Sequence, residues 1–205
     1  MTDLAAPGAR QRAPRRLRAD AKRNIDSLLD AAQAVFATSG VHAPPKVITD
    51  LAGVGVGTLY RHFPRRSDLV VAVLQREIDA CADAGPALSA SSTPGVALAK
   101  WLQRYTELLA NKRGLATALH SGDPAFGGLP EYFFQRLGPT LGRLLEAATA
   151  SGEIRADIGS RDLLRAIAYR CQPADDQGAA YSQRVVGLLI DGLRYGAVVR
   201  GREQA

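Results

Sequence analysis

The stretch from Ala52 to Asp68, AGVGVGTLYRHFPRRSD, constrains this chain more tightly than any other. It reads as a glycine-containing corner, a helix of two turns, a proline stop and two arginines. Gly53 and Gly55 supply the backbone freedom that a tight corner needs, and Gly55 also serves as N-cap to a helix over roughly 56–63. At about 100° per residue, Val56, Leu59 and Phe63 share one face and are predicted to be buried. Gly57, Thr58, Arg61 and His62 fall on the other face, with Tyr60 on its flank. A short helix that is small or hydrogen-bonding on its free face, followed at once by Arg65 and Arg66, has the chemistry of a helix laid in the major groove of DNA with cations for phosphate.

The preceding residues complete a helix-turn-helix. Pro45 to Ala52 (PKVITDLA) spaces Ile48, Leu51 and Ala52 as a short helix, with Pro45 allowed in its first turn. Gly53 to Gly55 is then the three-residue corner between two helices. A longer amphipathic helix from about Asp20 to Ser39 lies upstream, with Ile25, Leu28, Leu29, Ala32, Val35 and Phe36 at helical spacing and Gly40 ending it. Charge segregates with this region. Residues 1–76 carry 12 lysines and arginines against 6 aspartates and glutamates, whereas residues 77–205 carry 14 of each. Such a footprint suits nucleic acid. Arg61 is the candidate for a bidentate contact to guanine, and Thr58 for a thymine methyl or a phosphate. Tyr60, His62, Lys46, Arg65 and Arg66 are candidates for phosphate, with Gly57 on the same face. Residues 1–18 are polar and rich in arginine, and disorder is expected in the free protein. They are either an arm for the minor groove or a solvated tail giving non-specific attraction.

Beyond Pro64, Ser67 is the expected N-cap and Asp68 a first-turn acid of a helix to about Ala84. That helix buries Leu69, Val70, Val73, Leu74, Ile78 and Cys81, and Gly85 to Thr93 reads as a loop. Helices are predicted over Pro94 to Lys112, Arg113 to His120, Pro130 to Ser151, Arg161 to Cys171 (capped by Ser160) and Ala179 to about Arg200. The Pro130 to Ser151 helix puts Phe133, Leu137, Leu141, Leu144 and Ala148 on one face. Ser121 to Gly128 and Gln172 to Gly178 connect them. No stretch alternates like a strand, so the prediction is an all-α chain of about nine helices.

Other classes fit poorly. GVGVGT matches neither GxGxxG nor GxxxxGK[ST], and no strand precedes it. There is no GxSxG or HExxH, and His42, His62 and His120 are scattered without partners at catalytic spacing. No enzyme, metal or cofactor is expected. Cys81 and Cys171 lie on apolar stripes without ligand spacing and read as buried thiols, with a redox pair as the alternative. The longest apolar run, Leu69 to Leu74, is too short to span a bilayer. The N-terminus lacks the apolar core of a signal peptide, so a cytoplasmic protein is expected. The rival reading is a helical ligand-binding protein with non-specific affinity for nucleic acid or a membrane surface and no operator. Globular core stripes and a tight corner are features that membrane binding does not require.

The run from Ile25 to Val73, with AAQAVFATSG, then VITDLAGVGVGTLYRHF, a basic pair and Leu69, resembles the DNA-binding domain of the tetracycline-repressor (TetR) family over nearly fifty residues. Thr49 departs from the usual alanine, Gly55 from the usual serine, and Pro44 and Pro45 from a threonine that caps and contacts phosphate. KRGLATALHSGDP and GEIRADI are similar to the C-terminal domain of one subgroup. After the basic segment 1–18, expected to be disordered, the resemblance implies a DNA-binding domain over 19–66 and an effector-binding and dimerisation domain over 67–205. It implies a ligand-responsive repressor acting as a homodimer on a palindromic operator in double-stranded DNA. The small, mostly apolar effector would meet Trp101, Tyr105, Phe126, Phe133, Leu137 and Tyr169, with Arg104, His120 or Gln135 as polar anchors. The last two helices would pair across a two-fold axis through Leu163, Ile167, Val185, Leu189, Gly192, Leu193 and Gly196, with Leu164 and Leu188 beside them.

Overall fold

The computed structural model describes residues 12–111, 122–155, 157–170 and 178–203, and every regular element among them is helical. In chain order these are α1 (Arg12–Ser39), α2 (Pro45–Ala52), α3 (Val56–His62), α4 (Arg66–Ser91) and α5 (Pro94–Asn111). A 3-10 turn (Pro124–Phe126), α6 (Leu129–Ala150), α7 (Ser160–Arg170) and α8 (Gly178–Glu203) follow. The helix expected over Arg113 to His120, most of the loop after Arg170, and Cys171 lie outside the described residues. The chain forms two compact units, one ending at Val73 and one beginning at Leu74. Helix α4 begins in the first and continues in the second.

The first unit is a three-helix domain closed by the start of α4. Leu28, Ala32, Val35 and Phe36 of α1 are buried, as are Ile48 and Thr49 of α2, Leu59 of α3, and Leu69, Val70 and Val73 of α4. Those last three residues carry the unit past the boundary expected after residue 66. Helix α1 starts at Arg12 rather than near Asp20, so residues 12–18, expected to be disordered, are helical. Extending an existing helix needs no new nucleus, and Pro14 sits in the first turn, where its missing N–H is no loss. Residues 1–11 lie outside the described part.

In the second unit α4 runs on through Gly85 and Pro86 to Ser91, where the sequence reads as a loop. The reason is tertiary. Pro86 has no N–H for the Ala82 carbonyl one turn back, and the buried Thr140 hydroxyl of α6 donates to that carbonyl instead, at 3.4 Å. Trp101 of α5 donates its Nε1–H to the neighbouring Cys81 carbonyl at 2.9 Å. A Cβ at Gly85 would stand 2.3 Å from Thr140 Cγ2, so glycine is what lets α6 approach this closely. A polar clamp lies along the same helix pair. Asp79 Oδ1 accepts from the Tyr132 hydroxyl at 2.7 Å and from Arg136 Nε at 2.5 Å, and Arg136 Nη2 donates to Asp83 at 3.1 Å.

Around this seam the core gathers Ile78 and Cys81 of α4, Leu98, Trp101, Leu102 and Tyr105 of α5, and Phe133, Leu137, Leu141, Leu144 and Ala148 of α6. Leu163, Leu164 and Ile167 of α7 and Val186, Ile190 and Leu193 of α8 complete it. The α6 face predicted from spacing is the buried one.

Replacing Gly85 with alanine should destabilise the protein by about 1–3 kcal/mol through overpacking. Adding Thr140→Ser, which removes Cγ2 and keeps the hydroxyl, should restore most of that stability. Urea midpoints of the two variants and the wild type check this. A Gly85→Ala variant as stable as wild type would remove the close approach as the reason for glycine.

Candidate nucleic-acid interface

The helix-turn-helix is built from α2, its corner and α3. Pro44 precedes α2 and offers no side-chain cap, while Pro45 occupies the first turn. Thr49 is 1% exposed, and its hydroxyl donates to the Lys46 carbonyl at 3.1 Å, so the buried polar atom is satisfied within its own helix. At the corner Gly53 has φ +67°, the left-handed conformation glycine adopts without strain. Its N–H and that of Val54 return to the carbonyls of Asp50 and Thr49 at 3.3 and 3.1 Å. Gly55 has an ordinary extended conformation, φ −75° and ψ 150°, so the corner depends on one glycine rather than two. Gly55 is the N-cap, as expected, and its carbonyl accepts from Thr58 at 2.9 Å.

Of the three residues predicted to be buried on α3, Leu59 is 3% exposed, Phe63 is half-buried and Val56 is 40% exposed. The packed surface is the second turn, where Leu59 and Phe63 meet Pro45, Ile48 and Leu69 around a small pocket of about 70 Å³. Val56 lies one turn too early to reach it. Leu51 is likewise 60% exposed, because α2 packs through Ile48 and Thr49.

The predicted contact residues divide by what already holds them. Lys46, Gly57, Tyr60, Arg61 and Arg65 are exposed, and Thr58, His62 and Arg66 are half-buried. Lys46 reaches Asp50 one turn on, at 2.7 Å, through an exposed pair of small energetic weight. Arg65 pairs with Asp68, Nη2 to Oδ1 at 2.7 Å, and its backbone N–H donates to Asp68 Oδ2 at 3.0 Å. The hydrogen bond from Arg65 holds the Asp68 carboxyl below the usual carboxylate range. Asp68 is therefore the residue that caps α4, reaching back in the manner of a capping box. Ser67, expected as the N-cap, is inside the helix and buried. Arg66 Nη1 donates to the carbonyls of Val41 and Ala43, the second at 2.8 Å, which ties α4 to the chain joining α1 and α2. The sequence shows Arg66 only as a cation, not as a structural tie. Arg61 has no hydrogen-bond or ion-pair partner among the described residues, and its free side faces solvent.

In the second unit Trp101, Tyr105, Phe133 and Leu137 share one core. Trp101 and Tyr105 stack at 5.9 Å, Tyr105 and Phe133 lie 5.7 Å apart, and the Tyr105 hydroxyl donates to the Leu164 carbonyl at 3.0 Å. Phe126 is buried in the 3-10 turn, outside that cluster. Tyr169 does not join them. It is 75% exposed, because α7 turns Leu163, Leu164 and Ile167 inward and Tyr169 falls on the opposite face. Arg104 and Gln135 are on the surface, where Gln135 donates to Glu131, and His120 lies outside the described residues.

The residues expected to pair two chains need a similar correction. Leu163, Ile167 and Leu193 are buried within their own chain and present no surface to a partner. Val185 and Leu189 are half-buried and Gly192 is exposed, while the surroundings of Gly196 in α8 lie outside the described residues. The exposed apolar face of α8 is instead Tyr181, Leu188 and Tyr195, the last two more than 70% exposed. Their seven-residue spacing was the available signal. Beside Leu188 an open groove of about 380 Å³ runs past Ile158, Leu189 and Gly192. No helix among the described residues is long and apolar enough to cross a membrane.

Comparison with known proteins adds two family matches. Residues 28–73 match the model described as bacterial regulatory proteins, tetR family. Residues 93–195 match the C-terminal domain of SbtR-like transcriptional regulators. Among solved structures, the TetR transcriptional regulator SCO0520 of Streptomyces coelicolor is 36% identical, with 83% of this chain and 98% of that chain aligned at a TM-score of 0.68. A TetR transcription regulatory protein of Mycobacterium vanbaalenii is also 36% identical, over 87% of this chain and 99% of that one, at a TM-score of 0.68. An HTH-type transcriptional regulator of Staphylococcus aureus strain USA300 is 40% identical over 65 residues, 31% of this chain. The chain spans only 35% of the length of that curated relative.

Arg66→Ala should lower stability by about 1–3 kcal/mol, because two carbonyls lose a charged donor, whereas Arg61→Ala should leave stability unchanged. Thermal melts of the two variants without DNA separate the roles. Equal melting points would show that the Arg66 tie carries no weight.

Proposed function

The chain belongs to the TetR family of bacterial regulatory proteins, and we propose that it is a sequence-specific repressor released from a palindromic operator by a small-molecule effector. The observation that carries this reading is the free face of α3. Arg61 is exposed there without a partner among the described residues, and Lys46, Tyr60 and Arg65 of the same helix-turn-helix region are exposed as well. That arrangement supports a guanidinium reading a guanine edge while its neighbours hold phosphates. Thr58 and His62 add hydrogen-bonding groups at its margin, and Gly57 keeps the helix surface low.

A palindrome requires two copies related by a two-fold axis. The exposed stripe of Tyr181, Leu188 and Tyr195 on α8 supports a homodimer, since large apolar side chains as exposed as Leu188 and Tyr195, both above 70%, favour a covered state. Tyr169 on the outer face of α7 extends the same argument. Effector binding is assigned to the second unit, near Trp101, Tyr105, Phe133 and Leu137. The polar atoms of Trp101 and Tyr105 are engaged by carbonyls of the protein, so the faces they offer are apolar and an apolar effector suits them. In the proposed cycle the effector shifts a two-state equilibrium in which α4 moves and the recognition helices change separation. A coupling of about 1–3 kcal/mol, roughly 5–150-fold in affinity, is usual for such linkage.

Selection of bound duplexes from random DNA should recover an inverted repeat. On that sequence Arg61→Ala should cost about 1–3 kcal/mol and relax preference at one position of each half-site. Recovery of no repeat would overturn the operator reading. Leu188→Arg should leave the fold intact and shift the protein from dimer to monomer in sedimentation. An unchanged sedimentation coefficient would remove α8 from the interface.

A further inference from the structure

We propose that Val56, the first residue of α3, reads a thymine in each half-site of the operator through the C5-methyl group of that base. The proposal rests on the operator-binding reading above, and it gives work to a residue that helical spacing assigned to the core. Val56 is exposed, and it opens α3 with Gly55 before it as N-cap and Gly57 after it. Both glycines are exposed as well. A Cβ built on either would meet nothing within 4 Å, so the two positions are bare without being crowded. The tip of the recognition helix therefore carries one side chain among its first three residues. That side chain is a pair of methyl groups on a stiff, β-branched stem.

The chemistry of that side chain selects the base. A recognition helix presents its N-terminal residues to base edges in the major groove. Val56 has no donor or acceptor, so it cannot answer the hydrogen-bonding pattern by which base pairs differ there. The apolar group that the major groove displays is the methyl of thymine. Set against the amino group of cytosine or adenine, Val56 would strip water from a donor and return no partner. Preference for thymine thus has a repulsive side as well as an attractive one. Other apolar groups of this unit suit the task less. Val47 and Leu51 are exposed but belong to α2, the helix that crosses the backbone in this motif. Thr58 also carries a methyl, yet it is half-buried.

The test uses the full chain and the operator duplex recovered by selection. Deoxyuridine replaces thymine at one symmetric pair of positions at a time, which removes the methyl and keeps every hydrogen-bonding group. At one such pair the wild type should lose about fourfold in affinity per half-site, roughly 15-fold for a dimer on both, the worth of one buried methyl-sized group. Val56→Ala should lose a similar amount on the thymine duplex and nothing further on the deoxyuridine duplex, so the two changes are not additive. Its melting curve should match the wild type, because Val56 is exposed. Thr58→Ser, which drops a methyl and keeps the hydroxyl, should retain the sensitivity to deoxyuridine, as should Arg61→Ala. Additive losses in Val56→Ala, loss of the sensitivity in Thr58→Ser, or a wild type indifferent to every thymine methyl would each overturn the assignment. An operator recovered without this coupling leaves the repressor reading standing and removes Val56 alone. Recovery of no preferred sequence removes both.

Discussion

One guanidinium holds the DNA-binding unit in register. The chain between α1 and α2 turns too sharply to pair all its carbonyls within either helix. Val41 and Ala43 leave theirs to Arg66, the first residue of α4. A charged donor shared by two carbonyls is worth more than neutral bonds would be. It also fixes where α4 begins, and α4 supplies Leu69, against which Ile48 and Leu59 close the helix-turn-helix. The exposure of α3 follows from that closure. Its second turn is held, and its outer face is left to solvent. Two adjacent arginines thus have different work, Arg65 outward with Asp68 and Arg66 inward on the backbone.

The second unit solves a different problem, a proline within a long helix. Pro86 leaves the Ala82 carbonyl without its helical donor, and a neighbour supplies one through Thr140. The same contact requires Gly85, so the two residues that read as a loop in sequence are the seam between α4 and α6. Along that seam the Asp79, Tyr132 and Arg136 clamp fixes the same pair of helices with polar groups. Burial, then Asp79, raises the Tyr132 pKa, which keeps the phenol protonated and donating. Trp101, Tyr105 and Tyr132 of this unit are accordingly anchored by their polar atoms, and Trp101 and Tyr105 turn their apolar faces to each other.

These particulars explain what the sequence could and could not reveal. Periodicity is a local property, so the α6 stripe from Phe133 to Ala148 and the α1 stripe from Leu28 to Phe36 were readable directly. The corner at Gly53 was readable because a left-handed residue has few chemical solutions. Arg66 was not, since its partners lie 23 and 25 residues away. The passage of α4 through Pro86 depends on a hydroxyl from α6, which no local pattern contains. On α7 and α8 apolar residues occur on more than one face, and composition alone does not say which face is turned inward. Hence Leu163, Ile167 and Leu193 are buried within the chain, while Tyr169, Leu188 and Tyr195 are outside. Short helices suffer most from this ambiguity: α3 has two turns and buries only one, so Val56 drops out of its face.

Trp101 is the chain's single tryptophan, fully enclosed, stacked on Tyr105 and hydrogen-bonded to the Cys81 carbonyl. The protein therefore carries one indole fluorophore, shielded from water and set where α4, α5 and α6 converge. Its emission reports the interior of one unit and is silent about the other. Any change in colour or intensity on adding DNA means that the disturbance has travelled from the recognition helix to that ring.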